Sequence, residues 1–338
     1  MNMRRWTLAG LAIATTLTLV VGPSLAETQE LRISQQFGIG YLPLQVARHN
    51  GLFEKHAKAL GVDGLKVSFV TLSGGTSTND ALLSDSIDVA TGGVGAFLPA
   101  WAKTRGTPLE VRGILAVTAM PIALVTTNPA VKSLKDFTEK DRIALPSVKS
   151  SIQAATLEIA AEKAFGPGNA EKLDPITVSL KHPDAYAALA SGKSEITAHF
   201  GSPPFQQQEL ALPNARKLTD SYEALDGPVS FNLAWAKASF REKNPKVYKA
   251  FIEALDEANA FINAHPDEAA KINLAEDPGT ADEALVLSII KDPDSKFTIL
   301  PLNVKKYADF LYRTGAIKAK ADSWKDLFFA DLHDKAGS

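Results

Sequence analysis

Apolar and polar positions along this chain switch between two periods, and the switch repeats. Leu31-Arg32-Ile33-Ser34 and Leu65-Lys66-Val67-Ser68-Phe69-Val70 alternate with period two, the mark of half-buried strands. Between them, Leu44 to Leu60 carries Leu44, Ala47, Leu52, Phe53, Ala57 and Leu60 as an apolar stripe at helical spacing, broken near Gly51. A short helix through Leu83, a strand at Ile87 to Ala90, a helix over Ala96 to Thr104 and a strand over Leu109 to Val117 follow. The same grammar returns after residue 128. Strands are predicted at Arg142 to Leu145, Ile176 to Leu180 and Ile196 to Phe200. They are separated by an alanine-rich amphipathic helix over Ser150 to Phe165 and a helix over Asp184 to Ala190, and a further helix starts at Phe205.

Strand and helix alternating at this spacing predict parallel sheets covered by helices. Two such runs in succession predict two similar α/β lobes. Beyond the apolar strand Val229 to Trp235 the pattern becomes almost wholly helical, opening with a helix after Asn244-Pro245 whose Val247, Phe251, Leu255, Ala258 and Ile262 share one face. That strand can return the chain to the first lobe, which gives two crossings and a hinge. The expected domains are residues 27–122 with 229–338 as the first lobe and 123–228 as the second.

Residues 1–26 read differently. Asn2 to Arg5 are cationic, Trp6 to Val21 are apolar or small, Gly22-Pro23 break the run, and Ser24-Leu25-Ala26 puts small residues where a signal peptidase cuts. This is the order of a secretory leader, with cleavage expected near Ala26, and its apolar run is shorter than the roughly 20 residues of a membrane span. The chain contains no cysteine, which excludes a lipid-anchored cleavage site, a disulfide framework and a thiolate metal centre. Loss of Arg4 and Arg5 takes the net charge from −2 to −4, which gives no basic face for nucleic acid. The expectation is a soluble exported protein.

Enzyme signatures are sparse. The six histidines, His49, His56, His182, His199, His265 and His333, include no metal-binding pair with a catalytic glutamate between. No nucleophile elbow or phosphate loop occurs, and Pro43 and Leu98 stand where the two glycine pairs would need a third glycine for a dinucleotide fingerprint. What recurs is a set of small, hydroxylated or glycine-rich loops between strands and helices: Gly38 to Tyr41, Ser73 to Ser77, Gly92 to Gly95 and Ser147 to Ser151. Ligands of open α/β sheets bind beyond the carboxyl ends of the strands, where helix N-termini favour an anion. Capping and turn chemistry alone would also place glycine and serine there. The corner His199-Phe200-Gly201-Ser202-Pro203-Pro204-Phe205 adds an aromatic wall for a ligand, or else a packed strand end. Lys149 either meets an anion or faces solvent, and Trp101 and Trp235 read as core.

With these residues in view, the chain resembles the periplasmic substrate-binding proteins of ABC importers in the sulfonate, nitrate and taurine group. The likeness lies in Ala47-Arg48-His49-Asn50-Gly51-Leu52-Phe53, in Ala81 to Ala90, in Ser133 to Phe137, and in Phe261 to Ala270. Ser84-Asp85-Ser86 replaces the usual glycine of the second segment. The resemblance implies a type II periplasmic-binding fold of two doubly wound lobes, a ligand held between them, hinge closure and docking on a membrane permease. It implies a monomer without cofactor, metal or catalysis. Carried over by position, Gln36, Phe37, Tyr41, Gly75, Thr76, Gly93, Val94, Ser150, Ser151, His199, Phe200, Ser202 and Phe205 would line the cleft. The expected ligand is a small organic anion, with an aliphatic sulfonate first and aromatic carboxylates or pyrimidine-like compounds as alternatives. A catalytic relative on the same fold would have only His199 as its base.

Overall fold

The computed structural model describes residues 27–338; the expected leader lies outside them. Among the described residues no helix is long and apolar enough to cross a membrane. The first lobe runs β1 (Glu30–Gln35), α1 (Leu42–His49), α2 (Leu52–Ala59), β2 (Lys66–Thr71), α3 (Gly75–Leu83), β3 (Ala90–Gly92), α4 (Val94–Thr104) and β4 (Val111–Thr118). The stripe over Leu44 to Leu60 is therefore two helices. Gly51 adopts a left-handed φ of 61° between them, a conformation glycine takes without steric cost.

The second lobe runs β5 (Ala123–Thr126), β6 (Ile143–Leu145), α5 (Ile152–Phe165), β7 (Thr177–Ser179), α6 (His182–Ser191), β8 (Ala198–Phe200), α7 (Phe205–Leu210), β9 (Arg216–Asp220) and α8 (Ser221–Leu225). The chain then returns through β10 (Asn232–Lys237) and α9 (Ala238–Lys243). It continues as α10 (Pro245–Ala264), α11 (Pro266–Glu276), α12 (Glu283–Ile290) and α13 (Val304–Arg313). Helices α10 and α11 pack on α1 and α2 of the first lobe.

Both sheets follow one plan. In the second lobe the order is β7-β6-β8-β5-β9. In the first, β2 pairs with β1, β1 reaches β3 through the parallel bridge Ile33–Val89, and β3, β10 and β4 continue the sheet. Each sheet thus reads second, first and third strand, then one strand that has crossed from the other lobe, then the fourth. The crossing strands β10 and β5 are antiparallel to their neighbours, so the sheets are mixed where sequence periodicity predicted parallel ones. Every residue of β5 and of β10 is buried, because an inserted strand has helices on both of its faces. Residues 119–122 make the first crossing and 226–231 the second. Both are tied to one C-terminal segment: Ala119 and Lys296 exchange backbone hydrogen bonds, and Ser230 N–H donates to Leu302 O at 2.9 Å.

Helix α5 departs from its expected amphipathic character. Nine of its residues, from Ile152 to Ala161, are buried, and they face almost every direction around the helix. It lies between α4 of the first lobe and α8 of its own, so alanines are the side chains that fit. Trp101 and Trp235 are core residues, both almost fully buried.

Candidate functional site

Three helices begin where the two lobes meet. Helix α3 follows Gly74 and α4 follows Gly93, and neither N-cap uses a side chain. Helix α5 follows Ser151, whose hydroxyl accepts from Ala154 N–H at 3.1 Å. The first N–H groups of a helix have no intrahelical acceptor and sit at the positive end of its dipole. Gly74, Gly75, Gly93, Ser151 and Ile152 all line one cavity of about 20 Å³, with Gln36, Phe37, Tyr41, Ala96, Pro146, Ser150, Gln153, His182, Phe231 and Asn232. No carboxylate and no lysine or arginine is among these residues. Three helix ends from two lobes therefore set its electrostatics, and they favour a negative guest.

The lobes touch at the cavity's edge. A Cβ on Gly95 would lie 2.2 Å from Ser151 O, and one on Gly75 would lie 2.3 Å from Ser150 O. Both distances are far inside van der Waals contact, so these glycines let backbone meet backbone across the cleft. Thr76 Oγ1 lies 3.2 Å from Ser150 Oγ, and Ser150 Oγ lies 2.5 Å from Ser147 Oγ. Further in, Ile39 N–H donates to Pro203 O at 3.1 Å, which docks the first strand-end loop onto the other lobe. The cavity has room for about one water molecule, so an organic ligand needs the lobes to part.

The sequence-derived candidates divide into two groups. Gln36, Phe37, Tyr41, Gly75, Gly93, Ser150 and Ser151 come together around this cavity. Thr76 faces a larger crevice of about 780 Å³ on the other side of the lobe contact, lined also by Asp80, Glu158, Glu162, Glu171, Lys103 and Arg313. Lys149 opens onto that crevice as well, and its Nζ lies 3.5 Å from Glu171 and 3.6 Å from Asp174. The acids there make it the less suitable site for an anion; burial, with Asp174 and Glu171 nearby, pushes the Glu158 carboxyl up to about 7.

The corner after β8, expected as an aromatic wall, lies outside the lining of this cavity. Val94, Phe200, Ser202 and Phe205 are buried outside the cavity lining, and Phe200 packs into the core. Phe37, Tyr41 and Phe231 are the aromatic side chains that face the space. Tyr41 is buried, and that burial raises its phenol so that it stays protonated.

His199 stands behind the cavity instead of in it, as the middle of a buried chain. Its Nδ1 lies 2.5 Å from Glu209 Oε1, and its Nε2 lies 2.8 Å from His182 Nδ1. His182 Nε2 is 3.4 Å from the Gln153 amide nitrogen, and Gln153 and His182 both line the cavity. Phe205 stacks on His182 with ring centres 5.8 Å apart. Burial drives His199 down to about 3 and, with His199 adjacent, His182 well below its ordinary value. Burial also pushes Glu209 up to about 9. Burial thus disfavours the charged form of all three groups. Among the described residues, no cluster of three histidine, aspartate or glutamate side chains could hold a metal ion.

Gln153, His182, Phe231 and Asn232 are lining residues that the sequence pattern did not single out. His182-Pro183 opens a helix after a strand, like the other loops, but without the glycines and hydroxyls that marked them. Phe231 ends the second crossing and Asn232 starts β10, and only the return of β10 between β3 and β4 brings them to the cleft.

The NMT1-like family matches residues 24–276, about three quarters of the chain. No curated protein matches it. Among solved structures, the alkanesulfonate-binding protein SsuA of Xanthomonas axonopodis pv. citri, bound to MOPS, is 19% identical with a TM-score of 0.66, over 87% of this chain and 96% of that one. The periplasmic aliphatic sulphonate-binding protein SsuA of Escherichia coli is 21% identical with a TM-score of 0.64, over 90% and 92%. The periplasmic nitrate-binding protein NrtA of Synechocystis PCC 6803 is 14% identical with a TM-score of 0.68, over 88% and 84%. At these identities the likeness establishes the fold. The chain belongs to the NMT1-like family and has the fold of the periplasmic substrate-binding proteins of ABC importers.

Proposed function

We propose that this protein is the soluble binding component of an ABC importer, taking a small organic anion between its lobes and delivering it to a membrane permease. One observation carries the reading: the N-termini of α3, α4 and α5 converge from both lobes on a cavity without a carboxylate. An aliphatic sulfonate or a taurine-like compound is the favoured ligand. It offers three acceptor oxygens to three sets of free N–H groups and a short apolar tail to Phe37, Tyr41 and Phe231. Exported through the leader at residues 1–26, the mature chain works in the periplasm as a monomer. Its rigid bodies are residues 27–122 with 229–338, and residues 123–228, which rotate about the crossings.

Thermal melting with a panel of alkanesulfonates, carboxylates and nitrate tests the reading. A ligand that binds only the folded form raises Tm by mass action, by about 2.7 kcal/mol of stability at a hundredfold excess over Kd. A panel without a single shift overturns the anion reading. A shift with aromatic carboxylates alone selects the second reading, an aromatic acid, which the three lining aromatics favour.

A further inference from the structure

Glu209 lies on α7, away from the cavity, yet it is joined to the cavity wall through two imidazoles and one amide. The chain Glu209–His199–His182–Gln153 is unbranched, and its spacings of 2.5, 2.8 and 3.4 Å place each ring nitrogen against one partner. Neutral imidazole carries one donor and one acceptor, so the chain has only two self-consistent senses. In the inward sense Gln153 NH2 donates to His182 Nε2, His182 Nδ1–H to His199 Nε2, and His199 Nδ1–H to Glu209 Oε1, whose carboxyl is then either ionised or protonated on Oε2. The Gln153 carbonyl oxygen then turns to the cavity. In the outward sense the Glu209 hydroxyl donates to His199 Nδ1, His199 Nε2–H to His182 Nδ1, and His182 Nε2–H to the Gln153 carbonyl or directly to a guest. This sense turns the Gln153 amide over from the placement in which its nitrogen meets His182 Nε2, and the Gln153 NH2 then faces the cavity.

We propose that Glu209 and His199 are positioning residues that set the hydrogen-bonding sense of the cleft wall, and that with Glu209 protonated the wall at Gln153 and His182 donates to the ligand's oxygens. The inference deepens the anion reading above and rests on it for the ligand. The surroundings of Glu209 select the outward sense. Its side chain is fully buried, no lysine or arginine pairs with it, and its Oε2 finds no hydrogen-bond donor. An ionised carboxylate in that place would leave a charged oxygen unsolvated, the costliest arrangement, and a carboxyl protonated on Oε2 would leave a buried O–H without an acceptor. Its burial holds the carboxyl protonated well past neutral pH. Gly201, whose Cβ would come within 3.1 Å of Glu209 Oε2, keeps the corner close around it. A wall of donors suits an anion, and the same wall turned inward would set a carbonyl oxygen against one.

The test reads the tautomers first, in ligand-free full-length protein, from the ring nitrogen chemical shifts of His182 and His199. Protonated Nε2 and bare Nδ1 on both rings are expected. Protonated Nδ1 on either ring overturns the proposal whatever the ligand is. Two variants then carry the test to binding. Glu209→Gln keeps a donor against His199 Nδ1, so its tautomers are expected to match wild type, and its affinity for ethanesulfonate is expected within about twofold. Glu209→Leu removes the donor, so mixed tautomers and at least tenfold weaker ethanesulfonate binding are expected. Equal loss of affinity in both variants overturns the role of Glu209. A wild-type protein with outward tautomers that binds no anion overturns the ligand reading alone and supports the assigned sense of the chain.

Discussion

Gly95 occupies the first turn of α4, a place where alanine would form a better helix by about 1 kcal/mol. The reason for glycine there lies in the other lobe. All three atoms nearest to an added Cβ belong to Ser151 and Ile152, at 2.2 to 3.1 Å, and none belongs to the first lobe. Gly95→Ala is therefore expected to leave the unliganded fold as stable as wild type or slightly more so, because parted lobes remove the clash. Closure has to push the two backbones apart, an overpacking cost of about 1 to 3 kcal/mol. Ligand affinity is expected to weaken by about five- to hundredfold. Calorimetric Tm and Kd on the same preparation check it: a lowered Tm with unchanged Kd would mean that Gly95 serves the core and not the cleft. Gly75 gives a less clean experiment, since its Cβ would also meet Ala96 of its own lobe at 2.6 Å.

At the scale of elements, β8, α6 and α7 bury His199, His182 and Glu209 together, and this packing predicts how stability follows pH. Glu209 keeps its proton to about 9 when folded, against an ordinary 4.5, so unfolding between those values releases a proton and stability falls as pH rises. The histidines have the opposite sign. They stay unprotonated when folded and take up protons on unfolding below 6.5, so stability falls as pH drops from there, for His199 down to about 3. Each group supplies up to about 1.4 kcal/mol per pH unit, and together they place the cluster's maximum near pH 6.5. Other groups titrate too, Glu158 among them, so the readout is a difference. Urea midpoints of Glu209→Gln are expected to lose the decline that wild type shows between neutral pH and about 9. Parallel curves in that interval would show the carboxyl to be ionised in the fold.

These same elements mark how far the sequence could be read. Strands β1 and β2 were legible because one face of each is more buried than the other, which leaves an alternating pattern. Strand β5, Ala-Leu-Val-Thr, leaves no alternation because both of its faces are buried, and only long-range pairing with β8 and β9 makes it a strand. The cavity glycines and Ser150-Ser151 were legible by composition, as small residues at strand ends. The buried chain was not, because His182, His199 and Glu209 lie 17 and 10 residues apart and meet only once α6 and α7 pack across β8.

On the proposed reading the lobes part along their cleft to admit a ligand, and a cysteine-free chain allows that motion to be blocked unambiguously. Ala119 is bonded to Lys296 and Ser230 to Leu302, so both crossings are braced against one segment. Helix α13 spans the flank, with Tyr307 OH 2.7 Å from Thr156 Oγ1 of α5 and Arg313 paired to Glu162. At the far edge, Thr76 and Ser150 face each other from opposite lobes with their hydroxyl oxygens 3.2 Å apart. Thr76→Cys combined with Ser150→Cys would put two thiols within reach of one disulfide, with no third thiol to compete. Oxidised, this double variant is expected to hold the cavity at its present size and to bind no detectable ethanesulfonate. Reduced, the same protein is expected to recover affinity to within a few-fold of the better single variant, which controls for any loss caused by replacing Ser150. The comparison is made on one sample before and after reductant, with radius of gyration by small-angle scattering beside Kd. Equal binding in the two redox states would show that the ligand enters without parting Thr76 from Ser150, and would move the site from the small cavity to the open crevice on its flank.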